Sequence, residues 1–371
     1  MRLRLPKPPQ EKDFTSPAHH ERVTSKVGLW LGIAFGACFV TGLLSHAVQH
    51  PPDWFFWPSR PINLYRVTQG LHVISGIAAI PLLLAKLWSV YPKLFAKPLV
   101  SSALHALERG SIFVLIGAAF FELATGLFNA AQNYPWQFYF VSAHYAVAWI
   151  AVGALLVHIA VKLPVIRGAL TRERTTDLDR RAFLRTTWLT TGVAVLVTAG
   201  STVPWLREVS ALSSRSDKGP QGLPVNRNAL AAGVTNVAAN WRLEIIGPHG
   251  TTSLSREQLQ AMPQTTAELP IACVEGWSQS ATWTGVPVAE LIRLVGAQPG
   301  SVVRVDSLER GGLYRSSTLP GEHTSDPLTL LALRLDGHVL SPDHGYPCRI
   351  IAPSRPGVLQ TKWVSKLEVL A

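Results

Sequence analysis

Cys273 ends the apolar run Ile271-Ala-Cys273 and directly precedes Val274-Glu-Gly-Trp-Ser278, with Trp283-Thr-Gly-Val286 shortly after. A cysteine between a strand-like run and a Gly-Trp turn is held by backbone, so its sulfur can be aimed, and thiolates are ligands for soft transition metals. A lone cysteine is equally at home as a small buried hydrophobe, the reading given to Cys38 and Cys348; no CxxC spacing occurs. A second polar cluster follows in Asp343-His-Gly-Tyr-Pro-Cys-Arg349 and Gly357-Val-Leu-Gln-Thr-Lys-Trp363. The other candidate chemistry lies in the apolar first half. His72 sits early in the second apolar segment, and His144 and His158 lie in the fourth. Their 14-residue separation is close to four helical turns, which puts both imidazoles on one face about 21 Å apart. Ionisable groups inside a membrane are costly and functional by default, and neutral imidazoles ligate haem iron; an interhelical hydrogen bond is the simpler role. Glu122 in the third segment is a proton or quinone site, or a hydrogen-bonded structural carboxyl.

The Cys-Val-Glu-x-Trp-Ser and Trp-x-Gly pattern resembles the sulfite-oxidase-like molybdopterin enzymes, most closely the catalytic subunit of the periplasmic methionine-sulfoxide reductase system. The His-Gly-Tyr-Pro-x-Arg and Lys-Trp segments follow in the family's order, and the resemblance covers about residues 220 to 371. It implies that Cys273 ligates molybdenum while His344, Arg349 and Lys362 surround the pterin and its phosphate, with Gln360 and Thr361 as neighbouring donors. Cationic donors at a phosphate make charge-assisted hydrogen bonds. Asn226, Arg227 and Ser307 are weaker pocket candidates by approximate alignment. The first half resembles the bacterial di-haem cytochrome b proteins over about residues 27 to 161. That resemblance implies haem b bound by His72 and His144, with His46 as competitor, and a second haem at His158. The usual inner partner is missing after His20, and His105 is the substitute.

These residues must be positioned by two different kinds of scaffold. The 371-residue chain divides near residue 205 into long apolar runs followed by short strand-like segments punctuated by Gly and Pro. Five apolar stretches reach the length needed to cross a bilayer, at about 27–48, 69–90, 110–131, 138–161 and 187–206. The 34 Lys+Arg and 23 Asp+Glu give a net charge of +11, but residues 206–371 hold 15 and 14 of them. The positive charge therefore belongs to the membrane half, which speaks against nucleic-acid binding by the soluble domain. Six of the basic residues precede residue 27, four lie in 86–109 and seven in 162–185, all on one side if the helices alternate. This places the amino terminus in the cytoplasm and the carboxyl-terminal domain outside the inner membrane.

The expected layout is a cytoplasmic segment (1–26), a four-helix membrane bundle (27–161), a basic loop (162–186), an anchor helix (187–206), a linker (207–224) and a mixed α+β domain (225–371). Within that domain, a serine-capped helix is expected near 255–262 and a hairpin at Asp336-Gly337. Asp179-Arg-Arg-Ala-Phe-Leu-Arg185 resembles a twin-arginine export signal, although positive-inside charge alone accounts for it equally well. No cleavage site stands out after residue 205, so the fifth helix is expected to remain as an anchor.

The implied function is extracytoplasmic oxygen-atom transfer, fed with electrons from a quinol through the haem domain. Sulfite-oxidising relatives carry Cys-Ala-Gly-Asn-Arg-Arg, whose arginine helps to bind an anion. Here Glu275 to Gln279 occupy those positions. A neutral S-oxide or N-oxide therefore suits the motif better than sulfite. Sulfite oxidation, and a non-catalytic module of the same fold, are the alternatives.

Overall fold

The structure is a computed structural model that describes residues 14–95, 98, 100–171, 178–213 and 219–370. Parts of the expected amino-terminal segment, basic loop and linker, including Arg172 and Arg174, lie outside these residues. The chain forms two compact units, one of residues 1–42 and 71–198, the other of residues 43–70 and 199–371.

The first unit is built from α-helices: α1 (Glu21–Gln49), α2 (Leu64–Val90), α3 (Ala103–Ala130), α4 (Phe140–Thr171) and α5 (Leu178–Thr198). All five belong to helical segments long and apolar enough to cross a membrane, with mean hydropathy of 2.0, 1.9, 2.0, 2.1 and 1.3 in chain order. Val23, Val27 and Ala34 recur at helical spacing on α1 and meet Ala79 and Leu82 of α2, with Leu123, Phe183 and Leu184 packed against them. Leu29, Phe113, Ile150 and Leu156 face outward. Such a surface is costly in water and ordinary in lipid. The helices outrun their apolar cores. The sequence pattern puts a loop at 162–186, yet α4 continues to Thr171 and α5 starts at Leu178, so Arg180 and Arg181 lie in its first turn. Hydropathy marks where lipid ends, whereas Lys and Arg remain good helix formers beyond it. At its other end α5 stops at Thr198 rather than near 206, and short 3-10 turns follow, one beginning at Pro204. Proline removes the amide a continuing helix needs.

In the second unit the sheet-forming chain runs β1 (Arg242–Gly247), β2 (Gly250–Ser255), α6 (Arg256–Ala261), β3 (Thr265–Ala272), β4 (Ser278–Pro287), α7 (Val288–Arg293), β5 (Val303–Ser307), β6 (Ser316–Leu319), α8 (Gly321–Ser325), β7 (Leu330–Leu335), β8 (His338–Val339), β9 (Arg349–Ile351) and β10 (Val364–Val369). One sheet has the order β2-β1-β10-β5-β6; the other is β3-β4-β7-β8, with β9 also paired to β7. Only the β1–β10 pairing is parallel among these ladders, with Glu244 opposite Lys366. Leu243, Ile245, Val305 and Leu367 of the first sheet share a core with Val286, Leu331 and Ile350 of the second and with Leu291 and Ile292 of α7. The expected capped helix is α6, where Ser255 and Gln258 form a reciprocal capping box. Asp336 (φ 47°) and Gly337 (φ 77°) make the expected tight turn between β7 and β8.

In the second sheet, β4 and β7 come together closely. A Cβ on Gly285 would lie 2.1 Å from the Leu331 carbonyl oxygen, at a bulge in the β4–β7 ladder. Gly285→Val should therefore destabilise this unit by about 1–3 kcal/mol or more, lowering its unfolding midpoint by several degrees. Thermal unfolding followed by circular dichroism checks this; an unchanged midpoint contradicts the packing described.

Candidate active site

Cys273 lies at the apex of the β3–β4 hairpin. Its amide donates to Trp277 O at 2.8 Å and its carbonyl accepts from Gly276 N at 3.0 Å, closing a tight turn. The Cys273 thiol and the Trp277 indole converge on Glu275 Oε2, at 3.5 and 3.1 Å. The sulfur is thus placed by local backbone, as expected from its position between an apolar run and a Gly-Trp turn.

A cavity at this apex is lined by Asn226, Ile271, Cys273, Trp277, His344, Arg349, Gly357 and Lys362, with Pro224 and Val225. Chain segments more than 100 residues apart therefore meet on one sulfur. His344 closes a short 3-10 turn capped by Ser341, and its Nε2–H donates to Pro220 O at 2.6 Å. The next residue, Gly345, takes φ 104°, and a side chain there would crowd Lys362 Cβ and Arg349 Cβ at 3.0 and 3.1 Å. Glycine therefore allows the imidazole, guanidinium and ammonium to share one face.

Arg349 is 4% exposed, and its guanidinium donates only to the carbonyls of Ile350, His344 and Gln360. It also lies 5.1 Å over the Trp283 ring. Arg355, 5% exposed, donates to Leu359 O at 3.0 Å and Thr318 O at 2.6 Å. Lys362 Nζ donates to Asp343 O at 3.0 Å and to Arg227 O, and stacks on Trp363. Burial lowers Arg349 and Arg355 toward about 9, while burial and then the Arg349 charge lower Lys362 to about 7. A buried guanidinium satisfied by neutral carbonyls, as Arg349 is, is expensive, and an anion entering the cavity that it lines offsets that cost. Gln360 Oε1 adds a buried acceptor without a hydrogen-bond partner.

The weaker candidates take supporting places. Thr361 Oγ1 pairs with Ser317 Oγ at 2.6 Å, and Ser307 Oγ donates to Lys362 O at 2.7 Å. Arg227 is paired with Glu309 at 2.7 Å, and the Asn226 carbonyl oxygen accepts the Arg227 amide at 2.8 Å. Three residues that motif reading passed over also approach the hairpin. Gln69 Nε2 donates to Val274 O at 3.3 Å, Arg66 Nε donates to Ser278 Oγ at 2.6 Å, and Tyr65 is fully buried within electrostatic reach of Cys273 and Tyr314. Their contact with Cys273's neighbours spans about 200 residues of sequence, so no local pattern could announce it.

In the first unit, the rings of His72 and His144 meet in a T-shaped arrangement with centroids 6.4 Å apart. His72 Nδ1 lies 2.9 Å from Cys38 O and 3.2 Å from Thr41 Oγ1, and His144 Nδ1 lies 2.8 Å from Thr125 Oγ1. Both rings are thus oriented through one nitrogen. His144 Nε2 is 3.0 Å from Glu122 Oε2. His158 Nδ1 is buried without a hydrogen-bond partner, beside Lys86, Lys162 and Glu108. His105 turns to Ser101 at the start of α3, and His46 stacks against His50 at 5.0 Å.

Residues 231–371 match the family described as the oxidoreductase molybdopterin binding domain. A protein of Azospira oryzae named as protein-methionine-sulfoxide reductase subunit YedZ1 is 32% identical over 136 residues, 36% of this chain and 50% of that protein. The sulfite oxidase of Arabidopsis thaliana is 32% identical over 114 residues, 26% of this chain and 29% of the plant protein. The protein-methionine-sulfoxide reductase catalytic subunit MsrP of Campylobacter jejuni is 26% identical over 196 residues, 43% of this chain and 65% of its own length. The chain thus spans between 29% and 65% of these three relatives.

Burial first, and the Arg349 charge second, lower His344 from 6.5 to about 4. Between those values the unfolded chain binds a proton that the folded chain refuses, so stability is full above about pH 6.5 and declines as pH falls toward 4. Unfolding midpoints of the cofactor-free protein across this window should show the decline, and His344→Gln should flatten part of it. An identical pH slope in the variant contradicts the assignment.

Proposed function

Residues 231–371 being a sulfite-oxidase-like, molybdopterin-binding oxidoreductase domain, we propose that the chain is a membrane-anchored enzyme that reduces S-oxides or N-oxides outside the cytoplasm. The observation that carries this reading is the buried guanidinium of Arg349, met only by carbonyl oxygens among the described residues, lining one cavity with Lys362, His344 and the thiol of Cys273. That environment fits a phosphate-bearing pterin, with Arg349, Lys362 and His344 holding the anion and Cys273 supplying one thiolate. Molybdenum, when bound, supplies two-electron oxygen-atom transfer. The protein's part is to fix the sulfur by the 273–277 turn, to keep water from the buried guanidinium groups, and to hold Glu275 between thiol and indole.

His72 and His144 fit a haem between them. Their Nδ1 atoms are engaged by Cys38, Thr41 and Thr125, so a haem would be held through the Nε2 atoms, that of His144 lying 3.0 Å from Glu122 Oε2. Gly42 and Gly126 border these rings, so no side chain fills the adjoining space. A haem held there would take the place of Glu122 at His144 Nε2. His158 is the weaker second site, because its neighbours are charged groups rather than a second imidazole. In this reading a quinol in the membrane supplies electrons, the distribution of basic residues sets the amino terminus in the cytoplasm, and the Arg180-Arg181 segment serves twin-arginine export of the loaded domain. Sulfite oxidation in the opposite direction is favoured by one observation: Arg66 brings a guanidinium to Ser278, within the stretch where the sulfite-type motif carries its own arginine.

Cys273→Ala should lower S-oxide turnover at least 1000-fold and reduce bound molybdenum, measured by elemental analysis on purified protein. Unchanged metal and activity would rule the reading out. A reduced-minus-oxidised absorption spectrum should show haem b that is lost in His72→Ala, and a spectrum with no haem band removes the electron path. Sulfite that reduces this haem, together with no turnover of any S-oxide, reverses the assigned direction.

A further inference from the structure

Residues 43–70 comprise the end of α1, the connection that follows it and the start of α2, and they belong to the compact unit that contains the cavity. Their attachments are specific. Arg60 binds Asp326 through Nε and Nη2 at 2.7 and 2.8 Å, and this carboxylate is 3% exposed. Trp57 Nε1 donates to Ser354 O at 2.7 Å, while the Ser354 amide donates back to Ile62 O at 2.9 Å. Arg66 reaches Ser278, and Gln49 Oε1 accepts from Tyr314 Oη at 3.2 Å.

These attachments converge on the two residues flanking the cysteine. Ala272 is covered by Val48, Tyr65, Phe55 and Trp57, and the Val274 carbonyl is held by Gln69. Tyr65 is 1% exposed, fixed by Ser45 at 2.8 Å, and Cys273 is itself 1% exposed. Residues 43–70 thus wall the hairpin at both residues flanking the buried sulfur.

We propose that residues 43–70 are a fixed lid that sets an upper size limit on the substrate, with Tyr65, Gln49 and Gln69 as positioning residues at its inner edge. The substrate class is then small, diffusible oxides of dimethyl sulfoxide or free methionine sulfoxide size. Methionine sulfoxide within any polypeptide chain is excluded, because its backbone cannot enter beneath the lid. This rests on the proposed S-oxide chemistry, and the tests separate the two.

With the full-length holoenzyme in detergent, kcat/KM for oxidised β-casein should be at least 100-fold below that for dimethyl sulfoxide. Arg60→Ala, or Trp57→Ala if the first variant folds poorly, should narrow that gap at least 10-fold while changing dimethyl sulfoxide turnover less than threefold. Casein turnover within threefold of dimethyl sulfoxide in the wild type, or a gap unmoved in both variants, overturns the lid. Hydrogen exchange needs no substrate: peptides covering 51–63 should be protected in the wild type and exchange at least 10-fold faster in Arg60→Ala. Exchange at the unprotected rate in the wild type also overturns the proposal. Failure to turn over any S-oxide counts against the proposed function, and the exchange result then decides the lid alone.

Discussion

Uncompensated positive charge in a buried place is the constraint on which the second unit depends. Arg349 donates to carbonyl oxygens and lies over the Trp283 indole, with the Lys362 charge nearby, while Arg355 is held by the carbonyls of Leu359 and Thr318. Such an arrangement is poor for stability and well suited to holding an anion, since the donors are already oriented and desolvated when it arrives. Arg349 begins β9, a short strand with all three of its residues inside, and Arg355 and Lys362 follow in the connection to β10. The fold thus spends burial on polar groups that a purely structural domain fills with hydrocarbon.

Much of this was legible in the chain. Cys273, His344, Arg349 and Lys362 stand in separate motifs, and the structure gathers all four around one cavity. The Asp336-Gly337 turn and the Ser255 cap were readable because their signals are local: residues that tolerate positive φ, and a side-chain oxygen within reach of its own helix. Arg355 was not singled out, although it is buried as deeply as Arg349, since nothing in its neighbours in sequence distinguishes a buried arginine from a surface one. Helix ends were blurred for a similar reason. Hydropathy falls at Lys162 and Arg167, but backbone hydrogen bonding continues to Thr171.

The first unit illustrates a second kind of partial legibility. Periodicity alone relates His144 to His158 on α4, whereas only packing relates His144 to His72 on α2. It also brings Glu122 to His144 and Thr125 to the ring's other nitrogen, one helical turn apart on α3. A carboxyl three residues before a threonine is unremarked in sequence. Placed on one helix face opposite an imidazole, the pair controls both nitrogens of the ring.

The 43–70 segment carries a consequence for modularity. A chain that reads as a membrane module followed by an enzyme module is, at the level of contacts, stitched backwards: Asp326 owes its counter-charge, and Ser354 its amide partner, to residues encoded more than 250 positions earlier. Separating the two halves onto independent genes, or swapping one for a homologue's, therefore strips the second unit of part of its own wall. Such halves must be exchanged with residues 43–70 kept alongside residues 199–371, which makes that segment, and not the boundary near residue 205, the line of division.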